Sequence, residues 1–230
     1  RRRGVTADGH PTGFRKGRLR MTSTSSFAAQ SADLELIMEF SKCAVANVSD
    51  NLDRLRGAVG LRPFHGSAPM VGRALTVKTA PGDNAYIHRA LDLVQPGDVI
   101  VVDGAGHEDR ALIGGIMMAI ARKRGAAGFV LDGAIRDINE IAGGDFPVFA
   151  RSVIHLGPYK NGPGAINVPV TVGGMLVHPG DIVLGDADGI VAIRPDEAPA
   201  TLAATQAQAR KEAEILASIE AGTYAGAYAK

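Results

Sequence analysis

The sequence contains no tryptophan, a single cysteine and only 5% aromatic residues. A lone Cys43 rules out an internal disulfide and any cysteine-rich zinc site. No apolar run approaches the ~20 residues that span a bilayer, and the apolar stretch of a secretory signal is missing as well. The expected location is the cytoplasm. Gly104-x-Gly106 lacks the third glycine of a dinucleotide fingerprint, and no Walker-A sequence occurs. His107-Glu108 has no second histidine at zincin spacing. Nucleotide binding and zincin chemistry are therefore disfavoured.

What is present is the material of a globular domain. Of 230 residues 46% are hydrophobic, enough at this length to bury a sizeable core and to exclude disorder for the bulk of the chain. Glycine is abundant, 29 residues against an average usage of about 7%, which points to tight turns and close backbone approaches. The net charge of +1 conceals an asymmetry: residues 1–20 hold seven basic groups against Asp8 alone, so the rest is net acidic. That leader has no apolar pattern and Met21 follows it directly. It reads as a disordered or added extension rather than a nucleic-acid arm or targeting peptide. Residues 21–230 are expected to form one domain with a C-terminal helix.

Hydrophobic spacing predicts a helix over Ser31–Phe40 with Ser31 as N-cap, and a short helix from Ser49 with Leu52 and Leu55 inward. A strand is expected from Met70 through Val77, closed by Pro81-Gly82-Asp83-Asn84, then a helix over Tyr86–Val94. Val99–Val102 is an unbroken β-branched run, as in a strand buried on both faces. A helix over Ala111–Lys123 and a second buried strand, Phe129–Leu131, complete a parallel strand–helix–strand unit. Pro147–Ala150 is a further short strand. The segment from Pro96 to Asp103 is echoed from Pro179 to Asp186, consistent with two similar strands of one sheet. Pro199–Ala221 reads as a largely polar helix lying across the surface or a neighbouring subunit.

Candidate chemistry gathers after the strand Phe129–Leu131, at Asp132-Gly133-Ala134-Ile135-Arg136-Asp137. Ligands of α/β sheets collect beyond the carboxyl ends of strands. Arg136 offers a fork for a carboxylate and Asp137 a hard oxygen for a divalent ion, although a surface ion pair in a turn has the same sequence. Gly114-Gly115-Ile116-Met117 exposes N–H groups at a helix start, suited to an anion, or serves close helix–strand packing. His65, His88, His155 and His178 are scattered singly, and Cys43 reads as a buried inert thiol. Asp186-Ala187-Asp188-Gly189 fits an ordinary hairpin turn as well as a metal loop.

Several of these pieces recur together in a known order. Val48-Ser49-Asp50, Gly72-Arg73-Ala74, Gly97-Asp98 with Val99–Asp103, Gly114-Gly115, Gly125-x-x-Gly128 and Asp132-Gly133-x-x-Arg136-Asp137 are followed by Phe146–Phe149. Gly162-Pro163-Gly164-x-x-Asn167-Val168-Pro169-Val170 and Pro179-Gly180-Asp181-Ile182-Val183 complete the set. From about Ala44 to Ile193 the chain resembles the RraA-like family, which includes the 4-hydroxy-4-methyl-2-oxoglutarate / 4-carboxy-4-hydroxy-2-oxoadipate aldolases. The resemblance implies an α/β fold of the β/β/α swivelling-domain type, with a barrel-like mixed sheet and flanking helices. It also implies a trimer or hexamer with active sites at subunit boundaries.

The implied activity is a class II lyase that cleaves a 4-hydroxy-2-oxo diacid to pyruvate and a second 2-oxo acid, often with oxaloacetate decarboxylase activity. By the same resemblance Asp137 is the ligand of Mg²⁺ or Mn²⁺, and Arg136 contacts the substrate carboxylate and developing enolate. The N–H groups of Gly114, Gly115, Ile116 and Met117 hold the pyruvyl carboxylate. An acid from a neighbouring chain's C-terminal helix, matched here to Glu212, completes the site. The alternative is a non-enzymatic regulator binding ribonuclease E, as some family members are; the Asp137 beside Arg136 favours the enzyme. Neither nucleic acid nor membrane is an expected partner.

Overall fold

The computed structural model describes residues 34–52 and 57–226. Its elements, in order, begin with helix α1 over 34–40, α2 (Val45–Asp50), and strands β1 (Arg62–Pro63) and β2 (Met70–Thr79). Then come α3 (Ala85–Leu91), β3 (Asp98–Ile113), α4 (Gly115–Lys123), β4 (Gly128–Ile135), α5 (Ile138–Ala142) and β5 (Val148–Val153). The chain continues through β6 (Gly164–Ile166), β7 (Val170–Val172), β8 (Met175–Val177), β9 (Ile182–Asp186), β10 (Gly189–Ile193) and α6 (Ala198–Glu220).

A mixed sheet runs β1-β5-β4-β3-β2-β9-β10, with β6 also pairing β2 and β7–β8 forming a separate two-stranded ribbon. Strands β2, β3, β4 and β5 are mutually parallel; β1, β6, β9 and β10 join antiparallel. The hydrogen-bonded path ends at β1 and β10 rather than closing on itself.

Alternation along β3 decides the layering, because successive side chains leave a strand on opposite faces. Ile100 and Val102 face a core shared with Ile87 and Leu91 of α3 and Met117 and Met118 of α4. Val99 and Val101 face the other way, onto Val170 and Val172 of β7 and Met175 and Val177 of β8. Helices thus cover one face of the sheet and a β-ribbon the other, a β/β/α arrangement. A third cluster joins Phe40, Val45, Val48 and Leu52 to Ile182, Leu184, Val191 and Ile193. The two echoed segments, in β3 and β9, flank β2 on its two sides, one parallel and one antiparallel.

The structure corrects three boundaries. The short helix begins at Val45 rather than Ser49, because Val45 and Val48 already anchor it to β9 and β10; Ser31 and Leu55 lie outside the described residues. Ala111–Ile113 are strand, not helix, since β3 runs on to pair Ala111 with Ala134 and Ile113 with Ile135. Glycine at 114 then separates strand from helix. Correspondingly β4 does not stop at Leu131 but continues to Ile135, buried along its whole length. Among the described residues no helix is long and apolar enough to cross a membrane.

Candidate active site

The extension of β3 and β4 carries both chains of the site to one end of the sheet. Arg136 N–H donates to Ile113 O at 3.1 Å, so the last β4 residue pair hands over to Arg136 and Asp137 directly opposite the start of α4. Asp137 adopts a left-handed conformation (φ 61°, ψ 41°), which short polar side chains tolerate better than most. Its carboxylate makes no cap to α5; Oδ2 instead accepts a hydrogen bond from Gly115 N–H at 2.9 Å. Arg136 Nε lies 3.9 Å from the same Oδ2, both side chains being about half exposed. Gly114 is required here, for a Cβ on it would overlap the Asp137 carboxylate.

Two cavities meet at this pair. The smaller, about 200 Å³, is lined by Asn84, His88, Gly114, Met117, Arg136, Asp137 and Lys160, among others. The larger, about 570 Å³, opens on the other side between Arg136, Asp137, Glu140 and His155. With Gly115 N–H engaged by Asp137, the Ile116 and Met117 N–H groups at the start of α4 remain as donors with no intrahelical acceptor. Ile116 itself is 78% exposed at the mouth. Burial, reinforced by the Lys160 cation and opposed by Asp92, lowers the His88 pKa and favours its neutral imidazole.

Asn84 and Lys160 are site residues that sequence reading missed. Asn84 is 3% exposed; its Nδ2 donates to Leu112 O (3.0 Å) and contacts Met117 Sδ (3.3 Å). Its Oδ1 is buried without any hydrogen-bond partner. A buried acceptor left unsatisfied in a native fold costs about 1–3 kcal/mol, a cost the fold carries next to this cavity. Both residues reach the cavity through Asp83. Its Oδ1 accepts from Ala85 N–H at 2.8 Å, and its Oδ2 from Asn161 and Gly162 N–H at 2.8 and 2.7 Å. The only signal in the sequence was the Pro81-Gly82-Asp83-Asn84 turn.

Glu212 is not part of this constellation within one chain. It lies on α6, where Asn47 Nδ2 donates to its Oε2 at 2.7 Å and Gln208 Nε2 to its Oε1 at 2.9 Å. It lines neither cavity containing Arg136 and Asp137. Beside it the same helix exposes Leu216 and Ile219.

The donor set can be compared with the ion the resemblance implies. Among the described residues no three His, Cys, Asp or Glu side chains come together to hold a metal. A single carboxylate donor suits a hard divalent ion that keeps most of its water, not a soft or tetrahedral site. Asp137 fits that role.

The model of the RraA-like family, Aldolase/RraA, matches residues 45–192. The chain belongs to this family. An RraA-like protein of Halalkalibacterium halodurans, named as a candidate 4-hydroxy-4-methyl-2-oxoglutarate aldolase, is 40% identical over 163 residues, covering 70% of this chain and 78% of its own. A crystal structure from Pseudomonas syringae pv. tomato superposes with TM-score 0.76 at 28% identity, covering 82% of this chain and 90% of that one. A Streptomyces coelicolor structure, described as an unusual member of the RNase ES inhibitor RraA family, gives TM-score 0.71 at 27% identity over 77% and 93%. The family match spans the residues that line both cavities, from Asn84 to Lys160, but stops short of Glu212 on α6.

Proposed function

We propose that this RraA-like protein is a divalent-metal-dependent lyase that cleaves a 4-hydroxy-2-oxo diacid to pyruvate and a second 2-oxo acid, and that it also decarboxylates oxaloacetate. The observation that carries this reading is the convergence of Arg136, Asp137 and the start of α4 on one cavity that Asn84 and Lys160 also line. In the cleavage the C3–C4 bond breaks, its electrons form the pyruvate enolate, and the 4-hydroxyl loses its proton as C4 becomes a carbonyl. Negative charge builds on the 2-oxo oxygen. Mg²⁺ or Mn²⁺ held by Asp137 supplies Lewis-acid polarisation of that oxygen when bound.

The chain's own residues provide the rest. Arg136 places a permanent, planar positive charge beside the developing enolate, a contribution of about 3–4 kcal/mol for a positioned donor. The Ile116 and Met117 N–H groups hold the pyruvyl carboxylate at the positive end of α4. Asn84 and Lys160 line the cavity, and Lys160 faces the distal carboxylate. Glu212 of a second copy, in a trimer or hexamer, receives the hydroxyl proton; the amides of Asn47 and Gln208 hold its carboxylate in place. The competing reading, a ribonuclease regulator, takes its support from the Streptomyces relative's description. A surface regulator has no need for an arginine, an aspartate and free helix N–H groups converging on one cavity.

Purified protein with a panel of 2-oxo acids, coupled to lactate dehydrogenase, is expected to release pyruvate with Mg²⁺, to stop on chelation and to resume on metal return. Absence of pyruvate from every member of the panel would overturn the assignment. Gly114→Ala is a milder probe: its methyl displaces the Asp137 carboxylate, and a misplacement on the order of 1 Å costs about 100-fold. That loss is expected in kcat with the melting temperature little changed.

A further inference from the structure

We propose that Glu140 is the second carboxylate of the metal centre, gripping the hydration shell of the ion whose direct ligand is Asp137. This rests on the metal-dependent reading above. Two adjacent glycines at the start of α4 each seat one carboxylate. A Cβ on Gly114 would overlap that of Asp137, and a Cβ on Gly115 would overlap that of Glu140, whose Oε1 would then lie at 2.8 Å. The two acids stand three residues apart in the first turn of α5, locked together by Glu140 N–H donating to Asp137 O at 3.1 Å. The left-handed backbone at Asp137 turns its side chain away from α5 and back toward α4, beside Glu140.

Charge makes this pairing informative. Two carboxylates over one peptide repel, and Arg136 approaches only the first, at 3.9 Å. Glu140 has no lysine, arginine or histidine within ion-pair distance among the described residues. It lines the larger cavity together with Asp137 and Arg136. On the other side of Asp137, Asn84 lines the smaller cavity, its Oδ1 without a hydrogen-bond partner. A hydrated divalent cation supplies the missing positive charge, and Mg²⁺ and Mn²⁺ are commonly gripped through their waters by a carboxylate next to the direct ligand. Glu140 also lines a neighbouring cavity with Lys123 and Arg124, beyond ion-pair distance of both; the competing roles are a long-range charge partner for those cations and a negative charge at the positive end of α4, both of which would act on stability alone.

Mn²⁺ binding to the full chain, followed by electron paramagnetic resonance and calorimetry without substrate, separates these roles. Wild-type protein is expected to bind, Asp137→Asn to lose binding, and Glu140→Gln to bind about 10–100-fold more weakly. Gly115→Ala, which expels the Glu140 carboxylate but leaves both acids in the chain, is expected to weaken binding like Glu140→Gln. Wild-type affinity in both Glu140→Gln and Gly115→Ala, whatever their melting temperatures, overturns the role of Glu140 while leaving Asp137 as the metal ligand. No Mn²⁺ binding by the wild-type chain overturns the metal reading itself, and Glu140 with it.

Discussion

Asp137→Ala is expected to abolish divalent-ion-dependent pyruvate release, and Arg136→Ala to lower kcat by about 10²–10³-fold. The magnitude for arginine follows from losing one positioned positive charge, about 3–4 kcal/mol of transition-state stabilisation. Arg136→Lys should recover only part of the loss, because a point charge on a flexible stem does not reproduce the planar fork. Both side chains are about half exposed beyond the end of β4, outside the packed core, so neither truncation opens a cavity. Circular dichroism melts are expected to shift by only a few degrees, mostly for Asp137→Ala, which loses a residue tolerant of positive φ. The coupled pyruvate assay over a range of Mg²⁺ concentrations distinguishes the two: the aspartate variant stays inactive at saturating metal, whereas the arginine variant saturates normally at a low rate. If both turned over like the parent, the site would lie elsewhere.

That site was partly legible in the sequence, and the parts that were hidden have a common cause. The β-branched run Val99–Val102 and the apolar Phe129–Leu131 announce two buried parallel strands, and the Arg136-Asp137 pair falls where such strands discharge their ligands. What the run lengths did not reveal is that both strands continue, β3 through an irregular stretch with Ala105 and Gly106 at positive φ, to reach Ile113. Pairing between distant segments imposes that continuation; local periodicity over Ala111–Lys123 looks helical without it. Asn84 and Lys160 were invisible for a related reason, since a turn asparagine and a loop lysine acquire meaning only when two loops close on one cavity. Glu140 needed the absence of a side chain at Gly115, a relation across 25 residues. Glu212 was matched through resemblance alone, and its amide partners Asn47 and Gln208 come from helix packing that no spacing encodes.

The Asp83 carboxylate braces those two loops beside the backbone bonds Asn84 N–H to Tyr159 O (3.0 Å) and Tyr159 N–H to Gly82 O (2.9 Å), and its replacement carries the largest expected loss of stability. The side chain is 1% exposed, and three backbone N–H groups point at it: Ala85 at the start of α3, and Asn161 and Gly162 immediately after Lys160. Burial alone pushes a carboxyl pKa up, yet these three hydrogen bonds outweigh it and hold the Asp83 pKa below its ordinary value of 3.8. A group whose folded pKa is depressed adds stability that is present above the unfolded pKa and disappears as pH falls through the folded one. Asp83→Ala leaves three partly buried donors without their acceptor, a cost of about 2–4 kcal/mol at neutral pH. Asp83→Asn keeps the shape but not the charge, and turns part of an acceptor into a donor facing donors. Urea unfolding at pH 7 is therefore expected to show both variants well below the parent, with the gap narrowing below about pH 3.8 as the parent's own carboxylate protonates. The surviving folded fraction of Asp83→Asn should show a raised KM for the diacid, because Lys160 is no longer tethered, with Mn²⁺ affinity at Asp137 unchanged. A gap that stayed constant from pH 7 to pH 3 would mean that Asp83 contributes through packing alone, and that the loop carrying Lys160 is held by something other than this carboxylate.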